Sequence, residues 1–140
     1  MNLVNLYEDG GRLSRGAPES LYQLLKERDG TVNISHGEMP SWEDHISFLK
    51  SYPYSHWYLV KESGTTIGAI YLTRHDEIGV SIFKNEQGKG HETKAILLLI
   101  GRHRRKSYLA NINPENSASI GTFSELGFKH VQNTYRLKAP

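Results

Sequence analysis

Apolar and polar residues alternate from Asn2 to Tyr7, and that period of two predicts a short first strand. The period changes to 3.6 over Ala17 to Arg28, where Leu21, Leu24 and Leu25 share a face and Pro18 suits a first helical turn. Gly30 to Met39 is a polar connection. Ser41-Trp42-Glu43-Asp44, just after Pro40, has the form of a capping box and predicts a helix to about Tyr52. Its inward positions are Trp42, Ile46 and Leu49, and Pro53 stops it. Three closely spaced strands are predicted next: Trp57 to Lys61, Thr66 to Leu72 and Glu77 to Phe83, joined through Ser63-Gly64 and Arg74 to Asp76. Such short turns imply an antiparallel meander. A polar Gly-rich turn, Asn85 to His91, then opens an apolar helix from about Glu92 to Arg105. That helix should bury Ile96, Leu99 and Ile100, with Leu97 and Leu98 filling its flanks. Tyr108 to Ile112 reads as a returning strand, which makes a crossover around the helix. Asn116 suits an N-cap for a helix over Ser117 to Leu126, with Gly127 at the C′ position. A last strand pair is expected at Lys129 to Gln132 and Thr134 to Leu137. The sum is an α+β chain: a mixed, mostly antiparallel twisted sheet with helices on both faces.

The length of 140 residues suits one domain over positions 1–140, with one core. Apolar content of 37% and charged content of 23% are ordinary for a globular chain in water. With no cysteine, a disulfide framework, thiol catalysis and thiolate metal sites are excluded. A reducing cytosol fits, so a cytoplasmic location is the expectation. No apolar run approaches the roughly 20 residues of a membrane span, and the opening MNLVNLYEDGG lacks the pattern of a signal peptide. A net charge of +2 is too small to argue for nucleic acid as a partner. The seven histidines form no H-x-x-x-H pair, so no metal is expected. The cations of Arg102 to Lys106 at a helix C-terminus complement its dipole, with binding to nucleic acid or an acidic partner as the sharper option.

Candidate chemistry concentrates where the third strand of the meander runs through the glycine turn into a helix. The first N–H groups of a helix lack internal partners and carry roughly half a positive charge. Gly88 and Gly90 let an anion approach the backbone, and Lys89 adds a formal charge. The implied ligand carries a phosphate or pyrophosphate. A P-loop needs G-x-x-x-x-G-K-[ST], which is missing. A dinucleotide fingerprint needs a third glycine where Thr93 stands. Gln87-Gly88-Lys89-Gly90-His91-Glu92 resembles the acyl-CoA loop of the GCN5-related N-acetyltransferases, Gln/Arg-x-x-Gly-x-Gly/Ala. It departs from that pattern at Glu92, whose carboxylate sits close to a pyrophosphate unless it turns away. Ala110 to Phe128, ANINPENSASIGTFSELGF, is similar to the family's later strand–helix element. The two blocks stand in the family's order, and the resemblance spans about Trp57 to Leu137.

The resemblance implies an acetyl-CoA-dependent acyltransferase: an N-acetyltransferase with the acyl-CoA N-acyltransferase fold and no metal. Residues Gln87, Gly88, Lys89, Gly90, His91, Glu92 and Thr93 would hold the pyrophosphate. Val80, Ser81 and Ile82 would offer backbone groups to the pantetheine arm, because the family's strand here splays from the next parallel one. Asn116, Asn113 and Phe123 would line that arm. Glu77, opening the strand, matches a Glu that often serves the family as general base, with Asp76 and His75 as weaker rivals. The bland reading of Glu77 is a solvated carboxylate beside Arg74. Many family members carry a Tyr acid at Phe123, which has no proton to give. Tyr135 is the substitute chosen here, with Tyr108 as the alternative. The acceptor side would draw on His36, Trp57, Tyr71, Arg74 and Asn133, beside Asn33 and Ser35. Aromatic and amide groups outnumber acids there, whereas a polycationic acceptor favours a more acidic pocket. The expected acceptor is a small polar amine, an amino sugar among the candidates. A homodimer is compatible with the family. The rival reading from another class is a non-catalytic CoA-binding or partner-binding module of the same fold.

Overall fold

The computed structural model describes residues 1–28 and 38–140. Four strands form one sheet in chain order: β1 (Asn2–Asn5), β2 (His56–Glu62), β3 (Thr65–Leu72) and β4 (Ile78–Ile82). Every pairing between them is antiparallel, as the short turns require. Among the described residues four α-helices accompany them: α1 (Ala17–Glu27), α2 (Trp42–Lys50), α3 (His91–Arg102) and α4 (Ser117–Glu125). Period-two alternation divides the apolar side chains of the sheet between its faces. Tyr58, Val60, Ile70, Leu72 and Ile78 pack with Ala95, Ile96 and Leu99 of α3 and Phe123 of α4. Trp57, Leu59 and Ala69 pack on the other face, against Ala17, Leu21 and Leu24 of α1 and Leu49 of α2. A bulge refines the rule. Val60 pairs with Gly68 but Lys61 with Thr66, leaving Ile67 as the extra residue. The parity of β3 reverses there, so Ile67 joins the α3 face together with Ile70.

The caps follow the sequence. The Ser41 side chain accepts from the Asp44 N–H, and that of Asn116 accepts from the Ser119 N–H. Gly127 follows α4 at φ 99°. Four expectations are corrected. Trp42 is 42% exposed. α2 instead buries His45 with Leu49, and the Trp42 ring stands edge-on to Tyr22 at 5.1 Å at the rim. Leu97 and Leu98 are exposed, because the stripe Ala95, Ile96, Leu99 already meets the sheet and positions 97 and 98 point away from it. α3 ends at Arg102 rather than Arg105. There the Tyr108 hydroxyl donates to His103 O and accepts from Arg105 N.

The fourth correction concerns the C-terminal strands. Tyr108 to Ile112 makes no full strand: Leu109 alone bridges Glu77, in parallel. Ile78 N donates to Leu109 O and Leu109 N to Asp76 O, each at 2.8 Å. Past that point the chain parts from β4, a splay rather than a ladder. No strand forms over Lys129 to Gln132 or Thr134 to Leu137. Such a pair needs a paired edge beyond Leu109, and one bridge does not supply it. Val131, Tyr135 and Leu137 consequently stand 74%, 87% and 93% exposed.

Candidate active site

The Ile78 N–H points away from β3, toward Leu109. The Phe83 N–H points the other way, to Ile67 O of β3. Alternation between these two anchors directs the N–H groups of Val80 and Ile82 to the open edge and the main chain of Ser81 to β3. The expectation that Ser81 offers backbone to an arm along this edge is thereby corrected. Its side chain has other work, accepting from Arg28 Nη2 at 2.7 Å. Ile82 offers the edge its N–H, while its C=O accepts from Gln87 Nε2 at 2.9 Å.

The turn that follows ties itself down. A 3-10 turn, Lys84–Glu86, leads through Gln87 to Gly88 (φ 78°) and Gly90 (φ 80°). Gly90 is the N-cap of α3 in the left-handed region, and no side chain caps that helix. A Cβ at Gly88 or Gly90 would meet nothing within 4 Å, so there is open space before both. That cradle of main-chain groups at an uncapped helix start fits a diphosphate. Several side chains expected to point at the ligand are committed elsewhere. Lys89 pairs with Glu86 at 3.1 Å. His91 turns between Glu86 and Glu62, at 3.4 and 3.9 Å, and Thr93 is half-buried. Glu92 turns toward α4, where Ser119 Oγ donates to its Oε1 at 3.3 Å. Burial raises the Glu92 carboxyl above the ordinary carboxylate range, and the Ser119 hydrogen bond opposes that shift.

Glu77 stands at the splay. Thr73 Oγ1 donates to its Oε1 at 3.1 Å and Asn111 Nδ2 to its Oε2 at 2.6 Å. Its side chain shares the face of Gly79 and Ser81 by strand parity. Across that face lies Tyr71 of β3, opposite Gly79, so closely that a Cβ on Gly79 would land in the ring. Tyr54 stacks on Tyr71 with centroids 3.8 Å apart, and Trp57, buried, meets Tyr54 edge-on at 4.7 Å. Burial lifts the phenols of both Tyr54 and Tyr71 above the ordinary tyrosine value. Arg74 is exposed and lines a depression of about 320 Å³ with residues Ser51 to Ser55.

The structure thus brings Glu77, Tyr71, Arg74 and Trp57 to one side of β4, with Val80, Ile82 and the glycine turn along its edge. It does not bring Tyr135 or Asn133 there, since both lie exposed in the unpaired C-terminal segment. His36, with Asn33 and Ser35, lies outside the described residues. Phe123 is 4% exposed in the core and meets Phe128 edge-on. Asn113 serves its own turn: its Oδ1 accepts from Glu115 N at 2.9 Å. Sequence reasoning missed Arg28, Tyr54, Thr73 and Asn111. Thr73 carried a signal, standing four residues before Glu77 across a tight turn. Asn111 carried another, lying beside the predicted strand partner of Glu77. Among the described residues no helix is long and apolar enough to cross a membrane, and no His, Cys, Asp and Glu group could hold a metal ion.

No protein-family model and no curated protein matches the sequence. Solved structures do, and the fold is that of the GCN5-related N-acetyltransferases. A chimera of the spermidine N-acetyltransferase SpeG from Vibrio cholerae and hSSAT superposes with TM-score 0.69 at 18% identity, over 94% of this chain and 84% of that one. A putative GNAT-family acetyltransferase from Bordetella pertussis gives 0.70 at 16% identity, over 96% and 87%. YncA from Salmonella typhimurium, a putative acetyltransferase solved with its cofactor acetyl-CoA, gives 0.63 at 18% identity, over 91% and 80%.

Proposed function

We propose that this chain is a single-domain N-acetyltransferase that takes the acetyl group of acetyl-CoA to the primary amine of a small polar acceptor. One observation carries the reading: the open edge of β4 runs from Glu77 at the splay to an uncapped helix start with clear space before Gly88 and Gly90. The bound thioester would supply an activated acetyl group. Main-chain groups of Gly88 to Thr93 would hold its diphosphate, and the Val80 N–H, on the open edge of β4, would donate to the developing oxyanion. Glu77, held by Thr73 and Asn111, would take the amine proton directly or through water. As the N–C bond forms and the C–S bond breaks, that proton passes to Glu77 and the leaving thiolate takes one from water, since Phe123 has none to give. Without a cysteine to carry the acyl group, direct attack in a ternary complex is the economical route. Similarity to a spermidine N-acetyltransferase brings a polyamine acceptor into view. The described residues argue against it: Arg28 reaches Ser81 on the face that carries Glu77, and Arg74 lines the neighbouring depression.

The second reading, a CoA-binding module without catalysis, draws on the buried Phe123 and on the Glu92 carboxyl beside the loop. Thiol release from acetyl-CoA across amine classes, run beside calorimetric titration with CoA, separates the two. Turnover on an amine supports the transferase. Binding without turnover supports the module, and no binding rejects both.

A further inference from the structure

Arg28 is a half-buried cation with no carboxylate partner among the described residues. It follows α1 as its C-cap in an extended conformation, which carries the guanidinium under β4 to Ser81 Oγ. No described carboxylate lies within ion-pair distance of it. Glu27, its neighbour in the chain, is turned to the Lys84 N–H at 2.8 Å. A guanidinium has five N–H donors in a planar fork suited to carboxylate or phosphate, and Ser81 uses one direction of that fork. A half-buried cation satisfied by one neutral hydroxyl is poised for an anion that the described residues do not provide.

Its position relates it to the chemistry. Ser81, Gly79 and Glu77 project from one face of β4, and the Tyr71 ring covers Gly79 between them. Both ends act on the Tyr71 phenol: burial raises its pKa most, Arg28 and the Tyr54 hydrogen bond pull it back, and Glu77 adds to the rise. Tyr54, stacked on Tyr71, feels Arg28 as well. This face of the sheet presents an aromatic floor of Tyr71 and Tyr54, with the Glu77 carboxylate toward one end and the Arg28 guanidinium at Ser81 toward the other. Ser81 and Glu77 are four strand residues apart, about 13 Å between Cα atoms before the side chains lean inward.

Resting on the transferase reading above, we propose that the acceptor is an amine that also bears an anionic group, the amine lying at Glu77 and a carboxylate or phosphate in the fork of Arg28. The separation of Glu77 and Ser81 along β4 sets the amine and the anion several bonds apart, as in an ω-amino acid or an amino-sugar phosphate. An α-amino acid, with its two groups on one carbon, is too short.

The test measures binding and turnover separately. With CoA present, calorimetry compares 6-aminohexanoate with 1,5-diaminopentane, and glucosamine 6-phosphate with glucosamine. We expect one anionic amine to bind about tenfold or more tighter than its counterpart, the scale of a charge-assisted pair. Which of the two does so tells carboxylate from phosphate. Arg28→Met should remove that preference, leaving CoA affinity and Tm unchanged, and Arg28→Lys should restore part of it. Equal binding of the members with and without the anionic group in both pairs overturns the proposal. So does an Arg28→Met variant that keeps the preference, or one that loses CoA instead. Thiol release on the preferred amine tests the transferase reading independently. A preference in binding without thiol release sinks that reading and leaves the anion site standing.

Discussion

Glu77 is the residue on which the chemistry turns, and its two oxygens are each engaged by a donor, Thr73 and Asn111. Glu77→Gln keeps the shape and removes the base. It should lower kcat about a hundredfold or more with CoA affinity intact, and abolish the acidic limb of the pH–rate profile; an unchanged profile would remove Glu77 from the role. Glu92 makes a prediction of the opposite kind. Burial raises its folded-state pKa above the ordinary value, so the folded state holds its proton to higher pH than the unfolded chain does. Its stabilising contribution is complete below the ordinary carboxylate range and is lost as pH rises through the folded value. Glu92→Gln should therefore raise Tm by a few degrees at pH 7 and leave it unaltered near pH 4, read by calorimetry at both. It should also tighten CoA by removing a carboxylate from beside the loop. At this scale the sequence disclosed Glu77 through its place at the head of a strand. It did not disclose Arg28, because an arginine ending a helix looks solvated until the end of α1 is brought to β4. Tyr135 failed for the converse reason: a phenol can serve a site only if a strand carries it there, and none forms.

The strand–turn–helix unit from Ile78 to Arg102 is local in sequence, and its geometry was accordingly legible. β-branched alternation, two glycines and an apolar 3.6-period run specify it without help from distant residues. Gly90 at φ 80° tests it. Gly90→Val forces a β-branched residue into the left-handed region at about 1–2 kcal/mol and places a side chain in the space before the helix. CoA affinity should fall about tenfold or more, as loss of a charge-assisted contact would. Gly16, the left-handed N-cap of α1 at φ 77°, also has open space before its Cβ. Gly16→Val should show similar strain in Tm with CoA affinity unchanged. Equal loss of CoA affinity in both variants would mean that strain, not the cradle, is responsible. The elements that were misread are those whose state depends on a partner. Tyr108 to Ile112 has strand composition but one paired residue. The two segments after Lys129 alternate properly yet have no edge to join. Strand formation needs a neighbour, and propensity alone cannot supply one.

Over the whole molecule the histidines tie elements that are far apart in the chain. His45 is buried between α1 and α2 and bonds Pro18 O at 2.9 Å. His56 at the start of β2 stacks on His103 at the end of α3, with centroids 3.5 Å apart. Burial lowers the pKa of all three, with Arg105 adding to the shift at His56, and His56, Arg102 and Arg105 adding at His103. A depressed folded-state pKa means that the unfolded chain takes up protons first as pH falls. Stability is full above the ordinary histidine value of 6.5 and is lost as pH falls through the folded values. Tm should drop by several degrees between pH 7 and pH 5, and a His45→Gln/His56→Gln/His103→Gln triple variant should flatten that slope; an undiminished slope would assign it to other groups. The sequence by itself determined the class of fold, the antiparallel meander, the glycine turn at a helix start and the caps at Ser41 and Asn116. Each rests on periodicity or on a bond between residues a few positions apart. Tertiary structure alone decided that β4 parts from the chain after Leu109, that the C-terminal alternation finds no edge, and that Arg28 and Glu77 face one another across Tyr71. Those are relations between segments up to fifty residues apart, where no local pattern records which surfaces will meet.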